Sequence, residues 1–160
     1  MHIFTLDEFA SRLKSLRDPV KKMSKSDTNT KSRIELTDNA DEVVEKCKKA
    51  LTDFNSRVTF EPETRPAVAN LIILHSLCSG LDPDTICRQN SHLDTAHYKL
   101  IVADSVNEFL QPIRKRYLQL LNEPAYLIHV LDEGAEKATK IAEKTWSEVQ
   151  SVVGFTLSSQ

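Results

Sequence analysis

From Asp38 to the carboxyl end, apolar residues recur at intervals of three and four, the spacing that puts them on one side of an α-helix. The first such stretch, 38–54, gathers Val43, Val44, Cys47, Leu51 and Phe54. A second, 66–79, opens at Pro66, stops at Gly80, and collects Val68, Leu71, Ile72 and Leu74 or Leu77. Asp82-Pro83 starts a short helical turn, and Asp94 or Thr95 caps a long helix reaching about Leu121, with a kink expected at Pro112. Pro124 opens another helix that Gly134 is expected to end. A last one, 135–153, is expected to bury Ala138, Ile141, Ala142, Val149 and Val152 or Val153 before Gly154. No alternating strand pattern exceeds four residues. The fold class is therefore mainly α, a helical bundle.

The first part of the chain differs. Leu6, Phe9, Ala10, Leu13 and Leu16, with Thr5 and Glu8 spaced as a capping box, predict a short helix within 1–16. Residues 17–37 have no apolar period and are rich in Lys, Ser, Thr, Asp and Asn, which predicts a mobile loop.

Charge changes the picture of that loop. The chain's net charge is only −2, yet Arg12 to Arg33 holds eight basic and two acidic residues. Ile34 to Glu63 holds four basic and eight acidic ones. So short a cationic segment suits a local anion site better than a duplex-wide nucleic-acid surface. The three glycines, Gly80, Gly134 and Gly154, lie too far apart for a Walker loop or a Gly-x-Gly-x-x-Gly fingerprint. Cys47, Cys78 and Cys87 form no Cys-x-x-Cys pair and read as reduced, mostly buried thiols of an intracellular protein. The five histidines show no metal-ligand spacing, so no protein-bound metal is expected. No apolar run approaches the roughly 18 residues of a membrane span, and the start, MHIFTLDEF, has no secretory or transit-peptide pattern.

An anion could be held by Lys21-Lys22-Met23-Ser24-Lys25-Ser26-Asp27. Lys22 and Lys25 place two ammonium groups three residues apart, interleaved with the hydroxyls of Ser24 and Ser26. That suits a triphosphate: the lysines offset charge while hydroxyls and backbone N–H groups add hydrogen bonds. A loop that closes over its ligand can also favour the transition state over the ground state. A merely solvated basic loop is the bland alternative, and the five-residue string Lys-Met-Ser-Lys-Ser weighs against it.

That string resembles the signature loop of class I aminoacyl-tRNA synthetases. Residues 15–27 (Ser-Leu-Arg-Asp-Pro-Val-Lys-Lys-Met-Ser-Lys-Ser-Asp) resemble the tryptophanyl branch, as do Arg65-Pro66 with Asn70-Leu71, Pro112-Ile113-Arg114, and Val130 to Ala138. The resemblance covers about residues 11–155, and Val130 to Ala138 favours tryptophan over the tyrosyl branch, which shares the loop. It implies ATP-dependent activation of tryptophan and transfer to tRNA-Trp, with Mg2+ accompanying ATP. Lys22 and Lys25 would contact the ATP phosphates, with Lys25 as the catalytic residue stabilising charge on the pyrophosphate side. Ser24 and Ser26 would supply hydrogen bonds, Met23 would lie within the binding loop, and the backbone of Leu13 would meet the adenine.

The resemblance also divides the chain. Residues 1–37 would be a remnant of the catalytic domain with its loop, 38–155 a helical region recognising the tRNA anticodon, and 156–160 a tail. The family's preceding Rossmann-type α/β domain, with its His-x-Gly-His-type motif and tryptophan pocket, has no counterpart in these residues. The chain alone is therefore expected to be inactive. Arg114, Lys115, Arg116, Lys137, Lys140 and Lys144 are candidate tRNA backbone contacts, against the blander reading of a solvated helix face. Trp146 is read as core rather than as a base-stacking platform. Relatives are homodimers, no membrane is involved, and the expected location is the mitochondrial matrix or otherwise the cytoplasm. The competing reading is a non-catalytic helical module that binds tRNA or another protein.

Overall fold

The computed structural model describes residues 12–154. Among the described residues five α-helices follow a basic loop: α1 Ala40–Lys48, α2 Pro66–Ser79, α3 Pro83–Gln89, α4 Thr95–Leu121 and α5 Pro124–Val153. The chain divides into two compact units, one through Arg114 and one from Lys115.

Local chemistry sets most helix ends in the first unit. Asn39 caps α1 in a complete capping box, its side chain accepting from the Glu42 N–H while the Glu42 carboxylate accepts from the Asn39 N–H. Pro66 starts α2, and Gly80 ends it at a φ of 74°, a left-handed conformation that favours glycine. The Asp82 carboxylate accepts from the Thr85 N–H and starts α3, and Asp94 does the same for His97 at the start of α4. Helix α4 runs on through Pro112, which has no N–H to contribute to the helical ladder.

The core of this unit comprises Leu16, Val43, Cys47, Val58, Val68, Leu71, Ile72, Ile86, Tyr98, Val102 and Val106. Each large apolar side chain so buried contributes roughly 1.5–3 kcal/mol before its ordering entropy is deducted. Tyr98 is fully buried, and its hydroxyl lies 3.2 Å from His75 Nδ1. Burial pushes the Tyr98 phenol up and the His75 imidazole down.

Several expectations are revised. The amino-terminal helix fails where it can be observed: Leu13 and Leu16 lie in non-helical chain, while its remaining positions and the Thr5–Glu8 box lie outside the described residues. Helix α1 stops at Lys48, leaving Leu51 and Phe54 exposed. It stops there because the Leu51 N–H donates to the Leu16 carbonyl, 2.7 Å away, a long-range bond that draws the chain off the helix. Gly134 does not end a helix, since α5 passes through it to Gly154. A lone glycine costs only about 1 kcal/mol in a helix, less than its helix-forming neighbours supply.

The buried face expected between 135 and 153 is also absent, because α5 has no buried residue. Ala138 and Ala142 are exposed, as are Ile141, Trp146, Val149, Val152 and Val153. Periodicity shows which residues share a face; it does not show that anything covers that face.

Candidate functional site

The basic loop is built on a narrow hairpin rather than hanging free. The Met23 N–H donates to the Leu13 carbonyl at 2.9 Å, and the Ser15 N–H donates to the Lys21 carbonyl at 2.9 Å. Together they form an antiparallel bridge between Lys14 and Lys22. The hairpin turns at Pro19-Val20, where the Asp18 carboxylate accepts from the Val20 N–H and pairs with Lys21 at 3.2 Å. Those contacts, the Val20 N–H first and Lys21 second, hold the Asp18 carboxyl below its ordinary value.

Both flanks are tied down. On one side, the Leu16 N–H donates to the Ser32 carbonyl at 2.9 Å, and Asn29 caps a 3-10 turn over Thr30–Ser32. The Arg33 guanidinium donates to the Asp27 carbonyl at 2.8 Å and to Glu35 at 2.7 Å, closing the far end of the loop. On the other side stands Asn70, in the middle of the buried run of α2 and only 5% exposed. Its Oδ1 accepts from the Lys14 N–H at 2.9 Å, and its Nδ2 donates to the Lys14 carbonyl at 3.0 Å. The expected mobile loop over 17–37 is therefore, in this structure, a segment bonded at its base and at its far end.

Between these anchors lie the groups with binding potential. Lys22 and Lys25 are exposed, and neither pairs with a carboxylate among the described residues. The Ser24 and Ser26 hydroxyls lie 3.1 Å apart across a turn in which the Asp27 N–H donates to the Ser24 carbonyl at 3.3 Å. Among the described residues the site thus has two unpaired cations, two adjacent hydroxyls and a hydrogen-bonded base. Leu13 and Met23, joined across the hairpin, turn their side chains into an apolar hollow of about 360 Å3 shared with Ile34, Leu74, Leu77 and Phe109.

The structure brings together Leu13, Lys22, Met23, Ser24, Lys25 and Ser26. The candidate tRNA contacts lie on α4 and α5. Arg114 on α4 donates to Asn107 Oδ1 at 3.4 Å. Lys115 and Arg116 follow it and are exposed. On α5, Lys137 and Lys140 pair with Glu133 and Glu136 at 3.6 and 2.6 Å, and Lys144 is exposed. Nothing in this arrangement separates these residues from an ordinary solvated helix face. Among the described residues no group of three or more His, Cys, Asp or Glu could hold a metal ion. No helix among them is long and apolar enough to cross a membrane.

Two residues with structural control of the site entered the sequence reading only through the family resemblance, as Arg65-Pro66 with Asn70-Leu71. Asn70 leaves one trace, a polar amide amid Val68, Ala69, Leu71 and Ile72. Nothing in the sequence shows the role of Arg65, whose guanidinium bonds Asp53, Asn55, Arg57 and Thr59 and secures the segment that leads into α2.

The chain is similar to known proteins of one family. A family model described as tRNA synthetases class I (W and Y) matches residues 3–111. A tryptophan–tRNA ligase of Rickettsia conorii is 41% identical over 152 residues, covering 95% of this chain and 46% of that protein. A mitochondrial tryptophan–tRNA ligase of Caenorhabditis elegans is 40% identical over 148 residues, covering 92% of this chain and 40% of that protein. The chain thus spans less than half the length of these relatives. Among solved structures, the tryptophanyl-tRNA synthetase of Mycoplasma pneumoniae aligns over 92% of this chain and 45% of its own, with 25% identity and a TM-score of 0.64. That of Campylobacter jejuni, solved with ADP and tryptophan, aligns over 89% of this chain and 43% of its own; at 22% identity and a TM-score of 0.71 it shows the shared fold alone.

Proposed function

The chain belongs to the class I tRNA synthetases of the tryptophan and tyrosine family, and from that premise we propose that its Lys22–Ser26 loop holds the phosphates of ATP for the activation of tryptophan. The observation that carries this reading is the pair of exposed lysines, neither paired with a carboxylate among the described residues, set beside two hydroxyls on a hairpin bonded at its base. A carboxylate already paired with either lysine would have to be displaced by an incoming phosphate; here that cost is not incurred.

In this reading Lys22 grips the ATP phosphates. Lys25 stabilises the charge that builds on pyrophosphate as the α-phosphorus is attacked, and so acts as the catalytic residue. Ser24 and Ser26 add hydrogen bonds, Met23 holds the loop's apolar side, and the Leu13 backbone meets the adenine. Mg2+ arrives on the ATP phosphates rather than on protein carboxylates. Residues 1–37 serve as the nucleotide-binding piece, 38–155 as the helical region facing the anticodon of tRNA-Trp, and 156–160 as a tail. Arg114, Lys115, Arg116, Lys137, Lys140 and Lys144 supply phosphate contacts along the RNA. The mitochondrial relative supports a place in the mitochondrial matrix, and the bacterial relatives a cytoplasmic one.

Holding ATP and tryptophan together supplies much of the rate in such a reaction. A stretch matching under half of its relatives' length is proposed to bind ATP without activating tryptophan by itself. The test is tryptophan-dependent ATP–pyrophosphate exchange with the purified chain. No exchange above a protein-free blank is expected; exchange that Lys25→Ala abolishes would overturn the claim of inactivity.

A further inference from the structure

Asn70 makes the contact in this molecule that the proposed chemistry leaves unused. In an extended segment, successive residues point their backbone groups to opposite edges. Leu13 and Ser15 accordingly face the loop strand, bonding Met23 and Lys21. Lys14 faces the other way, and its N–H and carbonyl both meet the one side-chain amide of Asn70, at 2.9 and 3.0 Å. A carboxamide has the donor and acceptor of a peptide group, so Asn70 takes the place of a neighbouring strand. No other side chain of that length offers both functions in that geometry: aspartate has no donor when ionised, and leucine has neither.

The placement has consequences for the loop. Asn70 is 5% exposed, held on a helix whose neighbours Val68, Leu71 and Ile72 are in the core, so the amide is an anchored reference point. Lys14 is fixed to it directly. Lys14 is also the residue bridged to Lys22, the first cation of the phosphate loop. Helix α2, which carries no phosphate-binding residue in the reading above, thereby sets where that loop begins.

We propose that Asn70 is a positioning residue: its paired hydrogen bonds to the Lys14 backbone hold the hairpin in the register that presents Lys22 and Lys25 to ATP. This inference rests on the nucleotide reading given above for its functional half, and on geometry alone for its structural half. It predicts that affinity and fold stability respond separately when the amide is altered.

The experiment compares the full chain with Asn70→Asp and Asn70→Gln, by ATP titration calorimetry, thermal melting and amide hydrogen exchange of residues 13–23. Asn70→Asp keeps the shape and loses the donor. It is expected to weaken ATP binding about tenfold, the effect of one buried hydrogen bond replaced by a repulsion. It is also expected to speed exchange of the Met23 amide about tenfold, with the helical melt within a few degrees of the parent. Asn70→Gln keeps the amide on a longer arm and is expected to recover most of both properties.

Unchanged ATP affinity and unchanged Met23 exchange in Asn70→Asp would overturn the proposal. So would an Asn70→Gln protein that melts normally yet binds ATP as weakly as Asn70→Asp, because packing rather than the amide would then control the loop. If the parent chain binds no ATP, the nucleotide reading fails, and the exchange rates still decide whether Asn70 sets the hairpin.

Discussion

Five hydrogen bonds leave the Arg65 guanidinium: two to the Asp53 carboxylate, one each to the carbonyls of Asn55 and Arg57, and one to the Thr59 hydroxyl. A single side chain, 5% exposed, thus orders a segment with little regular structure of its own. Replacing it with methionine removes all five and leaves partly exposed acceptors that water can reach. The expected loss is about 2 kcal/mol of stability, below the 3–5 kcal/mol of a sealed ion pair, as read from denaturant unfolding. The same pair gives a pH dependence. Arg65 holds the Asp53 carboxyl below its ordinary value, so its stabilising contribution is present above the usual carboxylate range and is lost as pH falls through the folded value. Melting temperature should therefore drop on acidification below about pH 4, and Asp53→Asn, less stable at neutral pH, should show a shallower drop. Equal acid slopes in parent and variant would remove Asp53 from that account.

Glycine separates what the elements owe to local chemistry from what they owe to packing. Gly80 ends α2 at a φ of 74°, with nothing within 4 Å of an added Cβ; the strain of Gly80→Ala is backbone strain alone, about 1 kcal/mol of destabilisation. Gly134 sits inside α5, also with nothing within 4 Å, so Gly134→Ala should strengthen that helix by about 1 kcal/mol. Thermal melts followed by circular dichroism should move in opposite directions for the two variants. The contrast also explains what was legible in the sequence. The bounds of α2 followed from Pro66 and Gly80, and the start of α3 from Asp82, because each acts within a turn of its own position. The end of α1 was not legible, since it depends on Leu51 bonding to Leu16, thirty-five residues earlier in the chain. The Lys22–Ser26 loop stood out in the sequence as a string of residue types. Its hairpin did not, because its register is set by Asn70 through contacts fifty-six residues apart in sequence.

At the scale of the whole molecule, the first unit has a packed core and α5 has an apolar stripe with no buried residue. Ile141 is 74% and Val152 87% exposed, so Ile141→Glu and Val152→Glu should leave the unfolding free energy within about 0.5 kcal/mol of the parent and reduce binding of a hydrophobic dye. A large loss of stability in either would mean that the face is covered in solution. The proposed phosphate-binding device belongs to this scale too, since it joins a loop, a hairpin base and a helix. Titration calorimetry of ATP into the purified chain and into Lys25→Ala tests it most directly. Binding by the parent that weakens with added salt, and falls tenfold or more in Lys25→Ala, is the predicted result. Equal affinity in the two proteins, or no binding by the parent, would contradict it.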